Sequence, residues 1–492
     1  MRETAMSTAV GETPTTTWKS KMMQVVAACV VNLASIAYGM AMSWPTPSLP
    51  HLAAGDLLLD CNIITEDEGA WLGSLVYLGA LISSPIFSYV SQTYGRKIAG
   101  YTTVIPLIIS WLPIVFSESL YLFYASRFLM GMASGGVLTF CPMYVGEIAE
   151  DSIRGTLGTV RSTCGNIAFV FMCIVGAVIS IRDMAILCLT MPIIFALAFY
   201  WLPESPLFLM RRGRTLEAMA ALIWVRGGDV KAAGLEMMKL TAVVKESSSR
   251  NVSLKTLFSS KGTRRALTIC IVLGLCQQLS GISAVLNYAV SIFELAGSSI
   301  SPNTATTIVA CVQLLGSLTS SIFMDLAGRR ILILFSQISM TSCLGGLGIY
   351  FYMQQEGYDM TSVGFLPLMC MGLYVLTLSV GVGSVTYIIM AELFTPEARG
   401  LATTAITMVV WLTAFLSTKF YPNLVHLLGL PGCYWLFASI CVVCAVFTIF
   451  KIPETKNRSL ESILRELNGD DIKSDSESGV KTIENSSAPE RY

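Results

Sequence analysis

Charge is scarce in this 492-residue chain. Asp, Glu, Lys and Arg make up 13% of it, about half the share usual in soluble domains. There are two histidines, and no His, Cys, Asp or Glu cluster has metal-ligand spacing. The hydrophilic parts contain no nucleophile–base–acid set and no Gly-rich phosphate loop. An enzyme, a cofactor, a metal, a nucleic-acid partner and an obligate protein partner are therefore not expected. The fourteen cysteines do not suggest a disulfide framework. Most, such as Cys164, Cys173, Cys270, Cys311, Cys343 and Cys441, lie in apolar stretches, where Cys behaves as a small hydrophobe. Cys61 and Cys433 alone fall near the expected outer face, and a bridge between them would tie together parts that need to move. Residues 1–21 are Thr-rich and polar, and the first apolar run is too long for a cleavable signal.

What the chain has instead is apolar length. Hydrophobic residues are 54% and the mean hydropathy is +0.65. Runs long enough to cross about 30 Å of hydrocarbon as helix fall near 23–49, 70–91, 98–116, 121–146, 156–180 and 184–202. Six more lie near 266–294, 303–324, 331–353, 363–391, 401–424 and 432–451. These twelve predicted spans put both termini on one side of a bilayer, which is the expected partner surface. If that side is the cytoplasm, 28 of the 32 basic residues lie there, and the positive-inside rule fixes the orientation. The exceptions are Arg182 in an outer loop and Arg127, Arg161 and Lys419 inside spans. His51 and His426 sit near outer helix ends and read as interfacial.

One charged pattern occurs twice. Gly95-Arg96-Lys97, Glu147 seven residues before Arg154-Gly155, and Pro203-Glu204-Ser205-Pro206 recur as Gly328-Arg329-Arg330, Glu392 seven residues before Arg399-Gly400, and Pro453-Glu454-Thr455-Lys456. The separations are 233, 245 and 250 residues, the slow drift of two homologous halves. The expected domains are an N-terminal segment (1–22), a first six-helix bundle (23–202), a helical linker (203–265), a second bundle (266–452) and a tail (453–492) lacking order beyond about 467. Parallel six-helix repeats build one large class of secondary transporters, whose substrate sits between the halves. The repeated Glu and Arg residues place carboxylates and guanidiniums around the mouth on the terminal side, and ion pairs between the halves are expected to close it. For any one of them, a solvated helix cap is the plainer account.

The ordered set Gly-Arg-Lys/Arg, Arg127-Phe-Leu-Met-Gly131, Pro142-x-Tyr144-x-x-Glu147, Pro203-Glu-Ser-Pro206, Gln277-Gln-Leu-Ser-Gly281 and Pro453-Glu-Thr-Lys456 resembles the sugar porter family of the major facilitator superfamily. Ser43-Trp-Pro-Thr-Pro-Ser-Leu-Pro50 and Ile64-Thr-Glu-Asp-Glu-Gly-Ala-Trp-Leu-Gly-Ser74 are similar to its insect facilitated trehalose transporter-like branch. The resemblance implies an all-α membrane protein of twelve transmembrane helices in two six-helix bundles, moving trehalose or a hexose by alternating access. It also implies a multi-pass protein of the plasma membrane.

Sugar hydroxyls ask for neutral amides, which offer paired donors and acceptors. The resemblance places sugar ligands on the fifth, seventh, eighth, tenth and eleventh spans, which gives Ser162, Asn166, Gln277, Gln278, Ser283, Asn287, Gln313, Tyr387 and Trp411. A helix–helix hydrogen bond is the competing use for such amides, and plain packing for Trp411. The gating set becomes Arg96, Glu147, Arg154, Glu204, Asp325, Arg329, Glu392, Arg399 and Glu454. This chain departs from the family pattern at Ser283, at Gln92, at Arg161 and in the tenth span, where Ser384-Val385-Thr386-Tyr387 lacks both prolines while Gly381 and Gly383 still permit bending. Proton-coupled relatives carry an acid in the first span. Here none occurs between Glu12 and Asp56, which favours passive transport. A proton symporter and a transport-inactive sensor are the alternative readings.

Overall fold

A computed structural model describes residues 18–55, 63–150, 152–247, 261–298, 300–394, 396–456, 458 and 460–468. The first six spans are Trp18–Ser43, running on through Pro45–Ala53, then Glu66–Tyr94, Arg96–Phe116, Leu120–Ile148, Arg154–Gly176 and Ile181–Phe199. Span 7 is built from Lys261–Leu279, Ile282–Asn287 and Ala289–Ala296, span 8 is Pro302–Ala327 and span 9 is Arg329–Gln355. Leu366–Val380 with Val382–Leu393 make span 10, Pro396–Lys419 span 11 and Tyr421–Lys451 span 12. The fold is thus the expected two bundles of six.

Local chemistry sets several ends. Thr65 caps span 2 with a full capping box, its hydroxyl accepting from the Glu68 amide while the Glu68 carboxylate takes the Thr65 N–H. Ser180 caps span 6 in the same N3 manner. Prolines at 85, 106, 113, 142 and 192 sit inside unbroken helices.

Glycines do break helices in the second half. Span 7 turns at Gly281, whose φ of 88° suits a residue without a Cβ. Span 10 turns at Gly381, where an added Cβ would lie 2.3 Å from the Ser336 Cβ. In span 12 the helix is interrupted at Gly429. That interruption corrects the expected last boundaries. Span 11 ends at Lys419 rather than 424, and span 12 begins at Tyr421 rather than 432, because Tyr421–Leu428 forms a short helical arm before the Gly429 break.

A second correction concerns cysteine. Cys276 of span 7 and Cys444 of span 12 are joined by a disulfide, whereas the apolar setting of both had given no sign of one. Cys433 is buried and unpaired; Cys61 lies outside the described residues.

Helices Pro206–Arg211, Thr215–Val225 and Val230–Ser247 form the linker on the end of the bundle that also carries Trp18 and Lys451. They are anchored to the first half. Buried Arg226 bonds both Glu236 oxygens at 2.6 Å and the Ile148 carbonyl at 3.1 Å. A tail helix, Leu460–Asn468, packs on the start of span 7 through buried Ile463 and Leu467. Its Asn468 accepts from the Gly262 amide and its Leu467 carbonyl from Arg265. Residues 1–17 and the expected unstructured tail beyond 468 lie outside the described residues.

Candidate functional site between the two halves

A cavity of about 300 Å³ lies between the halves. All nine residues expected to hold a ligand line it: Ser162 and Asn166 of span 5, Gln277, Gln278, Ser283 and Asn287 of span 7, Gln313 of span 8, Tyr387 of span 10 and Trp411 of span 11. Sequence reasoning missed Tyr38, Thr46 and Tyr77 from the first two spans. For Tyr38 and Tyr77 a tyrosine amid small apolar residues was the signal, and Thr46 lies within the Ser43–Pro50 motif.

The polar groups divide into satisfied and waiting. Gln278 Oε1 accepts from the Ser283 hydroxyl at 2.8 Å, so the Ser283 departure from the family pattern completes a local pair. Asn287 donates to the Tyr77 hydroxyl at 3.1 Å, across the halves. Ser162 turns its hydroxyl back to the Thr159 carbonyl. By contrast, Gln277 Oε1, Gln313 Oε1 and Trp411 Nε1 are buried without any partner. An orphaned buried polar atom costs about 1–3 kcal/mol. Three at the wall of one cavity mark the places where an incoming hydroxyl would be stabilised. The Trp411 ring is stacked on Tyr77, 6.0 Å between centroids and 28° between planes.

At the end away from the linker the halves are closed on each other. Thr46 donates to the Leu286 carbonyl at 3.0 Å, and Trp71 packs on Phe415. Lys419 pairs with Asp67, and His426 Nε2 lies 2.6 Å from Glu66. Exposed His426 thus reaches from span 12 to span 2. At the linker end the situation is reversed. A Cβ added to Gly146, Gly155, Gly158 or Gly400 would meet nothing within 4 Å, so the ends of spans 4, 5 and 11 border open space.

The duplicated charges lie at that end, and the pairs they form in this conformation run within each half. Arg96 bonds Glu147 at 2.6 Å and the Ser91 carbonyl at 3.0 Å. Arg329 bonds Glu392 at 2.9 and 3.2 Å. Both pairs lie within one half, because each Gly-Arg turn at the start of span 3 or 9 sits directly over the end of span 4 or 10 of the same bundle. Arg154 and Arg399 reach back to carbonyls in the preceding turn, Ala149 and Phe394. The Asp325 side chain lies outside the described residues.

Glu204 and Glu454 do something else again. The Glu204 oxygens accept the Arg96 and Lys97 amides at 3.0 and 2.9 Å, and Glu454 accepts the Arg329 and Arg330 amides at 3.0 and 3.1 Å. Each carboxylate thus caps the N-terminus of span 3 or 9, where free N–H groups and the helix dipole favour an anion.

Arg127 is fully buried in span 4. It donates to the Leu72 carbonyl at 2.9 Å and the Ala41 carbonyl at 2.6 Å and lies over the Trp44 ring. Its hydrogen-bonded oxygens are neutral carbonyls, with no carboxylate among them. None of these residues forms a metal cluster among the described residues.

Known proteins are similar to this chain in sequence and in fold. The model of the family described as "Sugar (and other) transporter" matches residues 64–467. The facilitated trehalose transporter Tret1 of Polypedilum vanderplanki is 33% identical over 454 residues, 91% of this chain and 88% of that protein. Its Bombyx mori counterpart is 33% identical over 441 residues, 89% and 86% of the two chains. The Drosophila mojavensis one is 33% identical over 452 residues. This chain spans about half the length of that protein and of several other curated relatives it matches. In fold, the proton:xylose symporter XylE bound to 6-bromo-6-deoxy-D-glucose is similar with a TM-score of 0.74 and 21% identity, covering 90% of this chain and 99% of that one. An inward-open form of XylE from E. coli gives 0.73 at 20% identity, covering 89% and 98%. With twelve helices in two bundles and a family match over more than four-fifths of its length, this chain belongs to the sugar transporter family of the major facilitator fold.

Proposed function

We propose that the protein is a facilitative sugar transporter, taking trehalose or a hexose and working by alternating access. The linker end faces the cytoplasm, in keeping with its basic residues, and the plasma membrane is the site of action. The observation that carries this reading is the convergence of amides, hydroxyls and Trp411 from both halves on one cavity, with Gln277, Gln313 and Trp411 holding unpartnered polar atoms. The name of the curated relatives agrees with it. In the conformation described here the site is open to the cytoplasm, and the Lys419–Asp67 and His426–Glu66 pairs hold the outer side shut.

Passive transport follows from two features. Span 1, Trp18–Ser43, holds no acid, and Arg127 is held by backbone carbonyls and stays charged near neutral pH. The gating role of the duplicated charges takes a modified form, in which Arg96–Glu147 and Arg329–Glu392 brace each half while the mouth is open, and Arg154 and Arg399 are placed to meet the opposite half on closure.

Uptake of labelled trehalose, glucose, fructose and xylose into oocytes tests the reading. The expected result is saturable uptake that stops at the external concentration and is indifferent to a protonophore. Absence of uptake with surface expression confirmed would leave the sensor reading in place. Accumulation abolished by the protonophore would establish a symporter.

A further inference from the structure

Among the described residues, Arg161 is the one charged side chain on the cavity wall. It stands on span 5, seven residues beyond Arg154, so about 10 Å of helix rise into the bundle. An ionisable residue at such depth needs a partner, and the two other cations inside the spans have them. Lys419 has Asp67. Arg127 has two carbonyls and a methionine sulfur, inside a closed pocket. Arg161 is half-buried, and among the described residues it makes no hydrogen bond, ion pair or ring contact. Its neighbours along the wall are hydroxyls and amides, with Tyr38, Ser162 and Asn166 on its own half and Tyr387 and Ser384 opposite. The cavity therefore carries a net positive charge, half shielded from water, with no carboxylate to balance it.

The geometry points to a cargo that brings its own anion: a sugar bearing one carboxylate or one phosphate group. This rests on the reading of the cavity as a sugar site and departs from neutral trehalose or hexose in the charge of the cargo. The carboxylate of a sugar acid, or the phosphate of a sugar monophosphate, meets the planar donor fork of Arg161. The hydroxyls reach Gln277, Gln313 and Asn166, and the apolar ring face rests on Trp411. In a partly desolvated site, a charge-assisted hydrogen bond is about twice as strong as a neutral one. The cargo then differs in charge from the neutral disaccharide in the relatives' name. Arg161 is the residue that makes the difference.

Titration calorimetry on the purified full-length chain in detergent tests this, with glucuronate, glucose 6-phosphate, glucose and trehalose as ligands. The expected result is that one of the two anionic sugars binds at least about tenfold more tightly than glucose; whichever binds tighter identifies the anion. That preference should shrink at about 1 M NaCl, where the screening length is about 3 Å. Arg161→Gln should abolish it, and Arg161→Lys should restore part of it. Should the natural chain bind glucose as tightly as either anion, the inference fails while the sugar site stands. A preference that survives Arg161→Gln would also overturn it. Binding of none of the four ligands would remove the sugar reading and this inference together.

Discussion

The two halves carry the same six-helix plan with different backbones. In the first, five interior prolines are absorbed into unbroken helices. In the second, spans 7, 10 and 12 are interrupted at Gly281, Gly381 and Gly429. Proline removes one donor and crowds one carbonyl, defects that neighbouring helices repair in a membrane. A glycine break changes the direction of the chain. The first half is accordingly the stiffer body, and the second holds the joints beside the cavity. The charged braces differ as well. Arg96 is 2% exposed, and the second Glu147 oxygen is buried without a partner. The equivalent Arg329 is 16% exposed, and the second Glu392 oxygen accepts the Thr455 hydroxyl.

The largest test of that contrast removes each guanidinium. Arg96→Ala leaves Glu147 buried with neither oxygen bonded and should cost about 3–5 kcal/mol. Arg329→Ala leaves Glu392 with Thr455 and more water and should cost about 1–3 kcal/mol. Thermal melting of the purified variants measures both, and equal losses would erase the difference between the braces.

A smaller effect is expected at the joints. Gly381→Val forces a side chain into Ser336 and should destabilise by about 1–3 kcal/mol, with slower transport. Gly155→Ala, in open space, should change stability by less than about 0.5 kcal/mol. If Gly381→Val melts and transports like the parent, span 10 is not a joint.

The smallest effect is read in pH. Burial raises the Glu454 carboxyl, but the Lys456, Arg329, Arg330 and Thr455 amides outweigh it and hold the group below its ordinary value. A carboxylate depressed in the folded state contributes stability at pH above its unfolded value, about 4.3, and that contribution is lost as pH falls through the lower folded value. The melting temperature should therefore drop below about pH 4.3. Glu454→Gln should start lower and drop less over that range. An identical acid profile in the variant would show that the amides do not hold the charge.

Most of the fold was legible because apolar length and the doubled charge pattern are written directly in the residue order. The cavity was legible for the same reason that sugars need amides: Gln277, Gln278, Asn287 and Gln313 stand out in apolar helices. What escaped notice depends on direction. A repeat shows that Arg96 and Arg329 are equivalent, not whether each turns toward its own half or the other. Cys276 and Cys444 lie 168 residues apart in runs where cysteine passes for a small hydrophobe. The span 12 start was misplaced because Tyr421–Leu428, with its Asn423 and His426, reads as a polar connection and is instead a short helical arm ending at Gly429.

The Glu204 and Glu454 caps also set an order of assembly. Each is a clasp in which residues just beyond the sixth span of a half fasten the beginning of its third. The first clasp can close once residue 204 has been synthesised, with 288 residues still to come, so the first body can be locked while the second does not yet exist. Closing the second waits for Glu454, 250 residues further on, and a ribosome that stalls in span 12 would release a protein with one finished half and one that cannot be fastened.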